Sequence, residues 1–447
     1  MSTRSIFWFR RDLRLLDNPA LLAAIAESEE VIPLFIIDAQ IANRAGEFRR
    51  AYLAQSLRAL DTSLEGSLHV ISGDPVGVLQ ELIKKYNATS VHVSSDYAPY
   101  GVARDVQVEG SGIALTRTGS GYAISPGRVL KADGSAYRVF TPFFKAWSAH
   151  GWRGPVDAPG AVNSPRPDSK YRQIPDWAIP DGAPLQSAGE EAAIKRWRDF
   201  RESELEEYDQ NRDYAAINGT SRLSPHLRWG EIHPRTILAG LHSTQAHQVF
   251  RKEIAWREFY ADVLHYHPHT SRDYYLPHFA KMKYDPPGEK FQAWCDGRTG
   301  YPFVDAAMRQ LVNEGWMHNR ARMVVASFLV KDLHIEWQHG ANFFMKYLID
   351  GDVASNSHGW QWTAGCGTDA SPYFRVFNPT EQGKRFDPQG DYIRKYVPEL
   401  RHLTSKQIHE PWLHPHEGYP SPIVDHAFER LESLSRLQQL KDLRQES

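Results

Sequence analysis

Apolar residues follow two different rhythms along this chain. Over the first 130 residues, short apolar runs at 6–9, 31–37, 68–71 and 91–93 alternate with helical periodicity at 20–26, 52–64 and 75–86, and 113–116 reads as a fifth strand. Continuous apolar runs are what strands covered on both faces need. Their alternation with helices predicts a parallel, doubly wound sheet. Such sheets take ligands beyond the carboxyl ends of their strands. No GxGxxG or Walker loop is present, so a nucleotide site of either kind is not supported.

Residues 151–190 hold seven Pro and five Gly, a density that regular elements rarely tolerate. Beyond about residue 190 the pattern is helical, most clearly at 192–205, 249–265, 304–314 and 319–333. The expected fold is therefore α/β: a doubly wound parallel-sheet domain over 1–130, an irregular connector over 131–190, and a larger all-helical domain over 191–447.

Composition narrows the class. The 447 residues are 41% hydrophobic and 24% charged, as in globular proteins of two or three domains. Net charge is −2, so a nucleic-acid site would have to be a local basic patch. Two cysteines, Cys295 and Cys366, exclude a disulfide scaffold and a Cys-rich zinc site and fit a reducing, cytoplasmic setting. The N-terminus is too quickly charged for a signal peptide, and no apolar run is long enough to span a membrane. Aromatic residues reach 12%, and the 13 Trp exceed what cores usually need.

Several of those indoles stand beside polar groups. Asp350-Gly351-Asp352 leads through Asn356 to Trp360-Gln361-Trp362. Carboxylates, an amide and indoles suit a flat heterocycle with a polar edge, although a capped helix leading into core Trp would read the same way. It is not a calcium loop, because the central Gly and the closing Glu are missing. In 249–265, Glu253, Trp256, Arg257 and Tyr260 share one helical face, either a polar cavity wall or an ion-paired surface. Asn319, Arg322 and Met323 share another, able to line a pocket and hold a diphosphate or carboxylate. Tyr208 to Arg212 and the turn Thr220-Ser221-Arg222-Leu223-Ser224 supply hydroxyls and cations suited to phosphate, or a plain helix cap.

Taken together, these segments resemble the photolyase/cryptochrome family. The opening Phe7-Trp8-Phe9-Arg10-Arg11-Asp12-Leu13-Arg14 is its N-terminal signature. Trp256-Arg257-Glu258-Phe259-Tyr260, Thr299-Gly300-Tyr301-Pro302, 315–320 and 350–362 match its C-terminal ones. Asn319 after Trp-Met-His is most like the class I cyclobutane pyrimidine dimer photolyases.

The resemblance implies bound FAD, with its phosphates near Thr220, Ser221, Arg222, Leu223 and Ser224. Tyr208, Trp256, Arg257, Asn319, Arg322, Asp350, Asp352 and Asn356 would surround the rest. Asn356 would face flavin N5, and Arg322 and Asp350 would pair beside the ring. The implied activity is light-driven: one electron passes from excited reduced FAD to a flipped-out thymine dimer, the cyclobutane ring splits and the electron returns. Trp256 and Trp362 would stack on the dimer, Glu253 and Asn319 would bond its polar edges, and Met323 would pack beneath. Arg212, Arg320 and Arg375 would hold DNA phosphates.

For light-driven reduction of the flavin, Trp360 and Trp337 match the inner and middle members of an aromatic electron route. Tyr284 stands at the outer position, where the family usually has Trp. The sheet domain would carry an antenna chromophore, with Ile36, Arg49, Asp96 and Arg104 as pocket candidates. Gly101 stands where folate-binding members tend to have Glu. That favours 8-hydroxy-5-deazaflavin, with FMN or an empty pocket as alternatives and methenyltetrahydrofolate disfavoured. No metal is implied. The partner is dimer-containing DNA, and the protein is expected to be a monomer with no obligate protein partner and no membrane. The rival reading is a cryptochrome-type photoreceptor without repair; the short stretch after Val424 argues against a long signalling tail.

Overall fold

The computed structural model describes residues 3–180, 182–369, 374–414 and 417–445. It divides into two compact units, Met1–Glu206 with Ser221–Pro268, and Glu207–Thr220 with His269–Ser447. The segments 191–206 and 221–268, expected in the helical domain, cluster with the sheet.

In the first unit five strands form one parallel sheet in the order β3-β2-β1-β4-β5. They are β1 (Arg4–Phe9), β2 (Glu30–Ile37), β3 (His69–Ser72), β4 (Ser90–Ser95) and β5 (Leu115–Ser120). Ile6, Ile32, Leu34 and Val93 are fully enclosed, because helices cover both faces. The helix Pro75–Tyr86 begins with Asp74 capping the Gly77 amide and closes on Asn87 in the left-handed region, φ 51°. After β3 the chain crosses back past β1 to start β4. The order therefore reverses between β1 and β4, and their carboxyl ends frame a crevice.

The expected connector is interrupted by a helix, Phe140–His150. Phe140, Phe143 and Trp147 form its buried stripe, and Gly151 at φ 66° ends it. The long helix Gln245–Tyr266 packs against it. Its Glu258 takes the amides of Ala123 and Ile124 and the Trp147 indole N–H, tying three segments to one buried carboxylate.

The second unit is helical. Its core gathers Trp294, Met308, Trp337, Phe344 and Trp360 from Glu289–Cys295, Pro302–Glu314, Trp337–Tyr347 and Val353–Ala364, with Met317 from the loop that follows the second of these. The helix expected over 319–333 is α-helical only over Asn319–Ser327 and continues as a π-turn, Phe328–Asp332. Apolar spacing alone does not separate these two windings. No helix among the described residues is long and apolar enough to cross a membrane.

Candidate functional site

In the first unit, the crevice at the ends of β1 and β4 is lined by Arg10, Arg11, Asp12, Ser94, Ser95, Asp96, Gly121, Tyr122 and Arg257. Its floor is a charge network. Arg10 Nη1 meets Asp105 at 2.6 Å, and its other arm bonds the Ser94 carbonyl. Arg104 bonds Asp105 at 2.9 Å and Asp96 at 3.4 Å, and lies 4.8 Å over the Trp8 ring. Burial pulls the Arg10 guanidinium below its ordinary value, and Arg104 adds to this while Asp105 opposes it. Burial alone would raise the Asp96 carboxyl, but Arg104, Arg10 and Arg11 bring it below the usual range.

Of the four expected antenna residues, Asp96 lines the crevice and Arg104 braces it. Ile36 is instead part of the sheet core, and Arg49 is buried on the helix Glu47–Ser63; neither lines the crevice. Sequence reasoning missed Arg10, Arg11 and Asp12, although they sit in the opening motif. Gly101 has a steric reason: a Cβ there would stand 2.1 Å from an Asp96 carboxylate oxygen.

The polar face of Gln245–Tyr266 forms as expected. Glu253, Trp256, Arg257 and Tyr260 are half-buried, while Ile254, Ala255, Glu258 and Phe259 face the core. Trp256 lies flat on Phe140, with ring centroids 3.7 Å apart and planes 7° apart. Arg257, expected beside FAD, spends its guanidinium on the Gly121 and Leu227 carbonyls at 3.0 and 3.2 Å and lines the crevice instead. The Ser221–Ser224 turn is held by Arg196 on the Ser221 carbonyl and Gln186 on the Arg222 carbonyl. Arg222 adopts φ 49°, a left-handed turn conformation.

In the second unit, Arg322 and Asp350 pair as expected, Nη2 to Oδ2 at 2.8 Å, and Arg322 Nε holds the Met317 carbonyl. Asp350 Oδ1 is buried with no donor among the described residues. Asp352 caps the helix Val353–Ala364 through the Ser355 amide at 3.0 Å, so that carboxylate has a structural duty. One turn on, Asn356 Nδ2 donates to the Ala341 carbonyl at 3.1 Å. Trp360 packs on the same neighbouring helix, where a Cβ on Gly340 would stand 2.1 Å from its ring. Trp360 and Trp337 are core residues, whereas Trp362 and Tyr284 are half-buried.

Asn319 is exposed, Met323 half-buried and Tyr208 buried; Thr220 belongs to the same unit and is half-buried. Of the expected DNA contacts, Arg375 is exposed and Arg212 lies 5.4 Å over the Tyr208 ring. Arg320 is ion-paired with Asp213 at 2.8 Å and lies over Phe386, so its charge is already answered within the chain.

The bare Asp350 oxygen tests whether a flavin fits. A buried carboxylate oxygen without a donor costs about 1–3 kcal/mol, and an N–H or hydroxyl from a bound heterocycle or sugar would remove that cost. With Arg322 on the other oxygen, the residues suit a polar-edged ligand.

Two family models match: "DNA photolyase" over residues 5–163 and "FAD binding domain of DNA photolyase" over 250–439. A deoxyribodipyrimidine photo-lyase of Agrobacterium fabrum is 39% identical, with 96% of each chain covered. The solved bacterial class III photolyase of Agrobacterium tumefaciens superposes with a TM-score of 0.94 at 37% identity, covering 99% of this chain and 98% of that one. An archaeal photolyase from Sulfolobus tokodaii, solved with two FAD molecules, gives 0.86 at 32%, covering 98% and 100%. The first of these structures is a class III enzyme, so the class I likeness carries no assignment of class. The chain belongs to the DNA photolyase family and carries that family's FAD-binding domain.

Proposed function

We propose that this protein repairs cyclobutane pyrimidine dimers in DNA with light. The observation that carries the reading is the Arg322–Asp350 pair with its bare, buried Oδ1, set inside a matched FAD-binding domain. When bound, reduced FAD supplies a one-electron donor that light can excite. Everything else falls to this chain.

Arg322 and Asp350 would hold the polar edge of a bound flavin, and Asn356 would offer it a neutral amide. Tyr208, Asp352 and the Thr220–Ser224 turn hold the remainder. Trp256, backed by Phe140 and therefore rigid, stacks on the extruded dimer together with Trp362. Glu253 and Asn319 bond the dimer's carbonyl and N–H edges, and Met323 packs beneath. Arg212 and Arg375 hold phosphates, which orient the duplex without reading its sequence. Arg320 is the weaker candidate because Asp213 already neutralises it.

Trp360 and Trp337 would carry electrons toward a bound oxidised flavin, with Tyr284 outermost; repair itself would not need this route. The crevice at β1 and β4 takes a planar, anionic antenna against its lining cations Arg10 and Arg11, with 8-hydroxy-5-deazaflavin as the first choice. The archaeal relative's second FAD makes a flavin the main alternative.

The rival is a photoreceptor without repair. Expression in ultraviolet-irradiated cells that lack light repair separates the two. Survival rises only when the cells are then illuminated if the protein repairs DNA, and light makes no difference if it only signals.

A further inference from the structure

Tyr274 lies between two members of the aromatic route. Its ring is 6.2 Å from Trp337, edge-on at 85°, and 6.3 Å from Tyr284, stacked at 20°. It is 6% exposed, and its hydroxyl donates to Glu336 Oε1 at 3.0 Å. Glu336 precedes Trp337 in the chain and is half-buried, so it can pass a proton on to water.

Two further features give this arrangement a direction. The Trp337 indole N–H is buried and has no hydrogen-bond partner among the described residues. An indole radical cation formed there has no base to take its proton, so it stays a strong oxidant. Tyr274 is the opposite case. Burial raises its phenol far above the ordinary range, so it holds its proton until it is oxidised. A phenol that loses an electron becomes a strong acid, and Glu336 is already hydrogen-bonded to receive that proton.

We infer that Tyr274 reduces Trp337 by proton-coupled electron transfer, with Glu336 as the proton acceptor. The inference rests on the reading of Trp360 and Trp337 as the electron route to bound flavin. The oxidant would be the Trp337 radical cation, which forms when Trp360 and Trp337 pass an electron toward a bound, light-excited oxidised flavin. One electron passes from Tyr274 to Trp337 and restores the neutral indole. The Tyr274 O–H bond breaks, its proton moves to Glu336, and a neutral tyrosyl radical and a neutral carboxylic acid remain. A thiol in solution later returns the electron and proton. Tyr274 thus precedes Tyr284, which the family comparison alone would place next to Trp337.

Flash excitation of the oxidised holoenzyme, followed by transient absorption and electron paramagnetic resonance in H2O and D2O, tests this. A tyrosyl radical should form as the tryptophan cation decays, and more slowly in D2O. Tyr274→Phe should remove it, and the tryptophan cation should then decay by recombination. Glu336→Gln should slow its formation by about a hundredfold, the usual scale of a positioned proton acceptor. Tyr284→Phe should leave its first appearance unchanged. Flavin content and melting temperature report the fold of each variant; if Tyr274→Phe does not fold, Glu336→Gln and the isotope effect decide. Wild-type radical yield and isotope effect in Tyr274→Phe, or in Glu336→Gln, would overturn the inference. Trp337→Phe tests the underlying route: a tyrosyl radical surviving there means that the route itself is wrong.

Discussion

Two buried carboxylates, one in each unit, meet the same cost in different ways. Glu258 in the first unit is surrounded by three donors of its own chain, the Ala123 and Ile124 amides and the Trp147 indole. Asp350 in the second has Arg322 on one oxygen and no donor among the described residues on the other. The first set is complete and explains a fold. The second is incomplete, which is what a ligand site would leave. Asp262 shows a third solution: Gly127 donates to one oxygen at 2.7 Å, the other has no donor among the described residues, and burial pushes the carboxyl up to about 6. A proton can answer that bare oxygen, whereas Asp350 sits against a guanidinium.

The sharpest way to break this contrast is to remove the complete set. Glu258→Ala leaves three buried donors bare, at about 1–3 kcal/mol each. Urea unfolding should show a loss of several kcal/mol, while the folded fraction still binds FAD. Selective loss of FAD would move Glu258 from scaffold to site. Next in size, Asp350→Asn should weaken FAD binding by roughly ten- to a hundredfold, the value of a charge-assisted hydrogen bond, without a matching loss of apoprotein stability. Unchanged FAD affinity in a fluorescence titration would show that the bare oxygen has no ligand.

Trp256 extends the contrast to DNA, because Phe140 already covers one face of its ring. Trp256→Ala should cost about 1–3 kcal/mol, one to two decades, on dimer-containing DNA and much less on undamaged DNA. Equal losses would leave the indole a purely structural partner of Phe140.

A pH dependence sets Asp262→Asn apart. The folded carboxyl lies at about 6, above its unfolded value of 3.8. Its contribution to stability is therefore present below pH 4 and lost as pH rises through 6. The amide needs no proton, so the variant should gain up to about 3 kcal/mol over wild type at pH 8 and nothing at pH 4, as read from melting curves. A gain independent of pH would assign the effect to packing.

How much of this was legible beforehand follows from the same physics. The strands were legible because strands covered on both faces must be apolar throughout, and the helix 75–86 because its cap, stripe and stop are all local. The Phe140–His150 helix was hidden by Pro and Gly around it, although Phe140, Phe143 and Trp147 carry its stripe. Trp256, Arg322, Asp350 and Trp360 stood out because motifs of unlike residue types are rare. The crevice residues Arg10, Arg11 and Asp12 carry an ordinary charged motif in sequence; their place at the end of β1, beside the reversal in strand order, is the signal that marks them. Tyr274 and Glu336 had none, because their contact joins residues 62 positions apart. Arg320 looked like a phosphate contact because sequence cannot show Asp213 beside it.

The central claim is light-driven reversal of the dimer, and it is tested most directly on purified, FAD-loaded, chemically reduced protein mixed with DNA bearing cyclobutane thymine dimers. Dimers should disappear on illumination, with two intact adjacent thymines restored in the strand for each, and persist in the dark. Dimers that persist in the light, with reduced flavin bound and DNA engaged, would contradict it.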